Sequence, residues 1–536
     1  MTPTAAPTTT PLTRGRMTGR APAGGVRRAP GLSVEWVGPL FRGIGSLRSD
    51  VAGFVGLATR GPTDHPKRLE NVSEFDAVYG PAVDGMLLAP AVHGFFANGG
   101  TTCWVARAVD RATAACSSGT LAPGLVFRAR TEGTWADRMA VDVQPAGGGR
   151  VTVTVTARDG RRELWRNLDR DGLTSTFGDE STSAASASGL VSLEFAPDTA
   201  LPTKRASATL SGGEDGLAGL LPRHLSGNGT EDAPVRFGAA LLADIDEISQ
   251  VVVPDLVLRD QVNFLGLPAH EPQAVGFAKD QFVGACEMRG RTALLHHPDP
   301  DAPADEVVAW CRQGLASAYA AMHWPWLRIQ DPAHPDRLLA CPPSGHVAGI
   351  VARADLAAGP HKPPANEPVA GAVGLCRPVD DEDHGRANDG GVDVIRAVPG
   401  RGIRVMGART TSQDPQWRYL NVRRLVTHVE RNLAAYAGWL VFEPDDRALR
   451  DDVERVVRRF LDDLWRAGGL EGRTADDAYS VRVEDAAAPD ARGGGSLVVE
   501  IGLQPPTPAE FVVVRIDVPD VAQRSGGGGG RGGDDR

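Results

Sequence analysis

Two short apolar runs, Val51 to Leu57 and Val251 to Leu256, constrain this chain most. The first ends at Thr59-Arg60-Gly61-Pro62, a turn signal, so it reads as a buried strand. A short helix follows, capped by Ser73 and running through Tyr79. A second helix, Ala89 to Ala97, stops at Asn98-Gly99-Gly100, and Cys103 to Val109 reads as the next strand. Strand, helix and strand in that order argue for an α/β core. The core resumes at Val251, after an interval of different character. At 536 residues the chain exceeds one compact core, so two to four domains are expected.

In that interval Val141 to Val143 and Val151 to Thr156 read as strands, with Ala146-Gly147-Gly148-Gly149 as the hairpin loop between them. Ser181 to Gly189 is a Ser/Ala low-complexity loop. Farther on, Asp305 to Met322 is predicted to be a helix, because Val307, Val308, Cys311, Leu315 and Tyr319 follow helical spacing. The Gly/Pro-rich stretch from Cys341 to Gly402 is expected to be loops. Leu420 to Ala437 and Ala448 to Trp465 are predicted helices. The second carries an apolar stripe (Leu449, Val453, Val456, Val457, Phe460, Leu461, Leu464). Its other face carries Arg450, Asp451, Glu454, Arg455, Arg458 and Asp462, many paired at four-residue spacing. Strands are predicted at Tyr479 to Val483, Leu497 to Leu503 and Phe511 to Val518.

The expected fold class is therefore α/β and α+β, multidomain. Residues 1–37 form an N-terminal arm ending in a linking strand, and 38–117 the first part of an α/β core. Residues 118–235 form a β-rich insertion carried outward, and 236–410 the second part of the core. Residues 411–518 form a C-terminal α+β domain, and 519–536 a disordered Gly-rich tail.

Composition narrows the function. The formal charge of −10 lacks the basic excess of a nucleic-acid binder, although residues 1–34 hold five arginines and no acid. No secretory signal and no apolar run of membrane-spanning length is read, so the expected place of synthesis is the cytoplasm. The six cysteines are scattered without a CxxC pair, which predicts free thiols. His296 and His297 are adjacent on a strand and point to opposite faces, so they do not chelate one metal. Cys341 with His346 lacks a third member and an activating helix terminus. Asp380-Asp381-Glu382-Asp383 lacks the alternating ligands of a calcium loop and reads as a solvated loop. The fragments Gly43-x-Gly45 and Gly400-x-Gly402 have no third glycine and no following GKS or GKT. The residues thus predict no enzyme, no cofactor and no metal.

Several blocks, in order, resemble the tail sheath family of contractile phage tails, pyocin-like particles and extracellular contractile injection systems. They are Pro30-Gly31-Leu32-Ser33-Val34-Glu35, then Val51 to Gly56 with Arg60-Gly61-Pro62, then Phe95 to Gly100. Tyr319 to Trp326, Pro342 to Gly349, His361 to Glu367 and Pro399 to Val405 with Gly407 to Thr410 continue the series. Trp417 to Leu425, Phe442 to Asp446, Leu464-Trp465 and Pro508 to Phe511 complete it. The resemblance covers about 30–518 and is weak across the insertion. It departs at Asp380 to Gly391, where an acidic run replaces an ordinary connection.

The resemblance implies a sheath subunit that stacks in sixfold rings around an inner tube and contracts from a metastable extended state. Implied partners are further copies of the chain, the tube protein, and baseplate and cap proteins, with no nucleic acid and no membrane insertion. An open helical array needs heterologous contacts. Candidates for inter-subunit strands are Leu32, Val34 and Trp36 in the arm and Phe511, Val513 and Arg515 at the C-terminal end, adding to a neighbour's sheet. Arg450, Arg455 and Arg458 are the candidates for facing the tube; the alternative is a helix that only supports its own domain. Rival readings are a sheath relative with another place in the particle, a generic α/β binding protein, and an enzyme using Cys341 or His346.

Overall fold

The computed structural model describes residues 44–45, 47–178, 187–196, 199–227, 236–257, 272–438, 447–485 and 497–506, and the strand at 512–516. Its centre is a nine-stranded sheet. Six neighbouring strands are parallel, in the lateral order Cys103–Arg107, Ala52–Gly56, Gln250–Val252, Thr292–His296, Ala320–Trp324 and Val392–Val398. Lys67–Leu69 closes one edge antiparallel; Gly402–Val405 and then Glu367–Pro368 close the other. All five residues of Ala52–Gly56 are buried, as an apolar run between two covered faces requires.

One face is covered by the first helices, α1 (Val72–Tyr79) and α2 (Leu88–Ala97). Phe54 meets Phe95 edge-on, with ring centroids 5.5 Å apart. The cap of α1 is Asn71, whose Oδ1 accepts from Glu74 N at 2.9 Å, and not the expected Ser73. Asn71 lies three residues before the acceptor's partner, the spacing that a side-chain cap needs.

The segment between the core's two halves folds as antiparallel strands. Ala206–Thr209, Ala140–Gly147, Arg150–Thr156 and Arg162–Leu168 form one sheet; Val191–Phe195, Leu125–Ala129 and Ser118–Ala122 form another. Val151, Val153 and Val155 alternate with threonines, so one face of that strand is apolar. They share a core with Phe127, Met139, Phe177 (on α3, Arg170–Phe177) and Val191. The short α4 (Pro222–Ser226) returns the chain to the central sheet.

The second face of that sheet is covered by α5 (Pro272–Met288) and α6 (Ala304–Arg312), through Val275, Phe282, Val307 and Cys311. The helix predicted from Asp305 to Met322 is therefore two elements. Gly314 adopts φ +84°, Asp280 Oδ1 accepts from Leu315 N at 2.9 Å, and the chain enters the buried strand Ala320–Trp324. An apolar segment buried on both faces has no periodicity that separates strand from helix.

The stretch expected to be loops holds α7 (Ser344–Ala358), packed on α2. Its Pro/Gly-rich flanks masked a helix whose small residues permit close approach. A Cβ at Gly345 would lie 2.5 Å from Ala91 O. The acidic run is also a helix, α8 (Asp381–Asp389), and not a solvated loop. Asp380 caps it by accepting from Asp383 N at 2.7 Å, the acids of its first turn suit the positive end of the dipole, and Ala387 is buried against the core.

Toward the C-terminus α9 (Leu420–Ala437) enters both cores. Leu420 packs under the central sheet, while Val422, Leu425, Val429 and Leu433 pack in a separate C-terminal cluster. That cluster also takes Val453, Val457 and Leu461 of α10 (Arg447–Arg466). After α11 (Ala475–Ala478) come Tyr479–Asp485, Leu497–Leu503 and Val512–Ile516, an antiparallel sheet with Leu497–Leu503 in the middle.

Candidate functional site

In a doubly wound sheet the usual place for a ligand is the crevice where strand order reverses. Here that point lies between Ala52–Gly56 and Gln250–Val252, and the chain fills it. Asp255 is fully buried there; its Oδ2 accepts from Leu57 N at 2.8 Å and its Oδ1 from Leu87 N at 2.9 Å. The carboxylate ties the end of the first strand to the start of α2. A Cβ at Gly56 would collide with it.

The thiol candidate is equally closed. Cys341 is fully buried and burial pushes its thiol up, the opposite of what a thiolate nucleophile requires. His346 lies under α2 against Gly94, and burial lowers it to about 4. His296 Nδ1 lies 3.1 Å from Ser344 Oγ on α7, whereas His297 faces Trp310 on α6.

A row that the sequence did not reveal crosses three strands on the α7 side. His296 is in register with His323, and His323 with Asp393. His323 Nε2 stands 3.5 Å from Asp393 Oδ2, and Asp393 Oδ1 accepts from Arg409 N at 2.7 Å. Burial lowers His296 to about 3 and His323 to about 4, and raises Asp393 to about 8. These residues lie in separate strands, so no spacing in the sequence joins them.

The C-terminal domain presents two surfaces. On its sheet Val513 is in register with Gly502 and Arg515 with Glu500. Phe511, Leu32, Val34 and Trp36 lie outside the described residues. The second surface is the polar side of α10, which carries Asp451, Glu454, Arg455, Arg458, Arg459 and Asp462. Arg458 Nε donates to Glu454 at 2.8 Å and its Nη2 to Val481 O at 3.1 Å, so this residue holds the helix to its own sheet. Arg455 pairs along the helix with Asp452, and half of its side chain is exposed. Arg450 is half-buried on the same helix.

Against known families, residues 255–411 match the phage tail sheath protein central domain and residues 412–519 the phage tail sheath C-terminal domain. The chain belongs to the tail sheath family. The two matches abut at the start of the segment leading into α9. A major tail sheath protein of a Pseudomonas aeruginosa prophage is 27% identical over 215 residues, 39% of this chain and 54% of that protein. The tail sheath protein of Burkholderia phage BcepMu is 27% identical over 206 residues, 36% of this chain and 42% of that one. This sheath-family chain thus spans about half the length of the curated relatives it matches.

The fold is shared more widely. A chain of the PVC extracellular contractile injection system sheath, contracted, aligns at TM-score 0.55 and 20% identity, covering 93% of this chain and 100% of that one. A sheath tail protein of Listeria innocua aligns at 0.60 and 13%, covering 87% and 95%. Among the described residues no helix is long and apolar enough to cross a membrane.

The buried row makes stability depend on pH from both sides. Neutral histidines favour the fold above about 6.5, so stability falls as pH drops from there toward 4. The folded chain keeps the Asp393 proton that the unfolded chain releases above 3.8, so stability also falls as pH rises toward 8. Asp393→Asn should flatten the alkaline limb of the Tm–pH curve and leave the acid limb in place.

Proposed function

We propose that this chain is the structural subunit of a contractile sheath, polymerising as stacked rings, six to a ring, around an inner tube. The observation that carries the reading is the unbroken match of 255–519 to both sheath domains. Supporting it, the fold follows a chain of a contracted injection-system sheath along its whole length. A structural role also suits a switch point filled by Asp255.

In this reading contraction consumes no fuel. The extended lattice is metastable, and release lets the subunits bury more surface against one another. The arm, 1–37, and the C-terminal strand around Val513 and Arg515 link neighbours by adding strands to a sheet. The C-terminal domain, 411–518, faces the tube with α10, and the insertion, 118–235, faces outward, where extra material is tolerated. The core is divided as 38–117 and 236–410. Partners are further copies, the tube, and baseplate and cap proteins, with assembly in the bacterial cytoplasm. A second reading, a sheath relative placed at the baseplate, is favoured by likenesses to baseplate chains. A chain of the anti-feeding prophage baseplate aligns at TM-score 0.50 over 92% of this chain.

Deleting residues 1–37 should leave folded monomers with an unchanged Tm and no tubes by electron microscopy; normal tubes would contradict the linking role. Arg455→Glu should weaken cosedimentation with preformed tubes about tenfold without changing Tm. Unchanged tube binding would show that α10 serves its own domain alone. Arg458 is the poorer probe, because its Nη2 donates to Val481 O.

A further inference from the structure

The stretch Leu47 to Asp50 carries the chain from its N-terminal side into the first core strand, and it is fastened before that strand begins. Leu47 N donates to Asn432 Oδ1 of α9 at 2.7 Å. Asn432 is buried and its Nδ2 donates to His428 O at 2.7 Å, which fixes the amide's orientation. Two residues on, Ser49 O accepts from Arg424 Nη2 at 3.1 Å and from Ser249 Oγ at 2.5 Å. Arg48 grips Asp50 with Nε at 3.0 Å and Nη2 at 2.6 Å.

The guanidinium of Arg424 is itself held. Nη1 and Nη2 donate to the two carboxylate oxygens of Asp355, on α7, at 2.8 and 2.5 Å. Both side chains are nearly dry, at 4% and 1% exposed. One planar group therefore joins three elements: the root of the arm, the helix under the central sheet, and the helix that opens the C-terminal domain. A buried ion pair of this kind is weak evidence for stability, since apolar residues of similar volume often serve as well or better. What it supplies is a fixed geometry with several donors, which arginine's fork provides and lysine's does not.

We infer that Arg424 and Asn432 are positioning residues forming the anchorage through which load on the N-terminal arm passes into α9. It rests on the proposed reading that the arm links neighbouring subunits. Covalent connectivity brings any pull on residues before 44 to Leu47 and Ser49 before it reaches Ala52. The two clamps pass part of that load into α9, beside the Ser249 contact that passes part into the central sheet. Because α9 is packed in both the central and the C-terminal clusters, the core and the C-terminal domain move together when the arm is pulled.

The test uses the full chain with Asn432→Ala and with the paired change Arg424→Met/Asp355→Leu, which removes both charges at once. Arg424→Lys, which keeps a charge but loses the fork, is the second probe should the paired change fail to fold. Hydrogen exchange on the monomers reads the clamp directly. The Leu47 amide should exchange about tenfold faster in Asn432→Ala, the loss of one hydrogen bond to a buried side chain. Exchange as slow as in the unaltered chain would overturn the clamp.

In sheaths, the paired change or Arg424→Lys should keep Tm within a few degrees yet shed subunits when contraction is triggered. Sheaths that contract intact with the clamp removed would overturn the load path. Failure of the unaltered chain to form a sheath would count against the proposed function, while the exchange result would still decide the clamp.

Discussion

A parallel sheet holds together only if both faces stay dry, and much of this structure follows from that demand. Six parallel strands cannot be joined by hairpins, so each connection crosses a face and deposits a helix there. α2 and α7 take one side and α5 and α6 the other, which leaves the strands largely apolar, with the row His296, His323 and Asp393 as the exception. The small residues of α7 set how closely it sits on α2, and that spacing in turn places Ser344 beside His296 and His346 under Gly94. Burial favours the neutral forms of the polar groups trapped beneath α7, the histidines without the extra proton and Asp393 with one.

The same demand separates scaffold from working surface. Ends of strands that would ordinarily hold a ligand are tied by Asp255, and Cys341 and His346 are sealed. Toward the C-terminal domain lie the charged side of α10 and the sheet that ends in Val512–Ile516. α9 connects these to the core, and the clamp of Arg424 and Asn432 brings the root of the arm to the same helix. In the proposed sheath, the joints between subunits would meet on this one element.

Legibility from sequence tracked how local each determinant was. α9 is predicted at its observed bounds and α10 within one residue at each end, because their apolar stripes are amphipathic and long. The alternating Val-Thr strand at Arg150–Thr156 was equally plain. The errors fall where burial is two-sided or a cap decides. Ala320–Trp324 has no polar face to reveal its period, α7 hides among prolines and glycines, and α8 depends on one capping carboxylate. Arg424, Asp355 and Asn432 escaped notice because their partners lie 69 and 385 residues away. An arginine pair inside the apolar turn Leu420 to Val426 was the only local signal.

The central claim is that this chain builds an open, heterologous array by itself. Negative-stain electron microscopy of the purified full-length chain tests it most directly. Hollow tubes of uniform width with a cogwheel cross-section are expected. Closed two-fold dimers, or monomers that stay monodisperse even with a tube protein present, would contradict it.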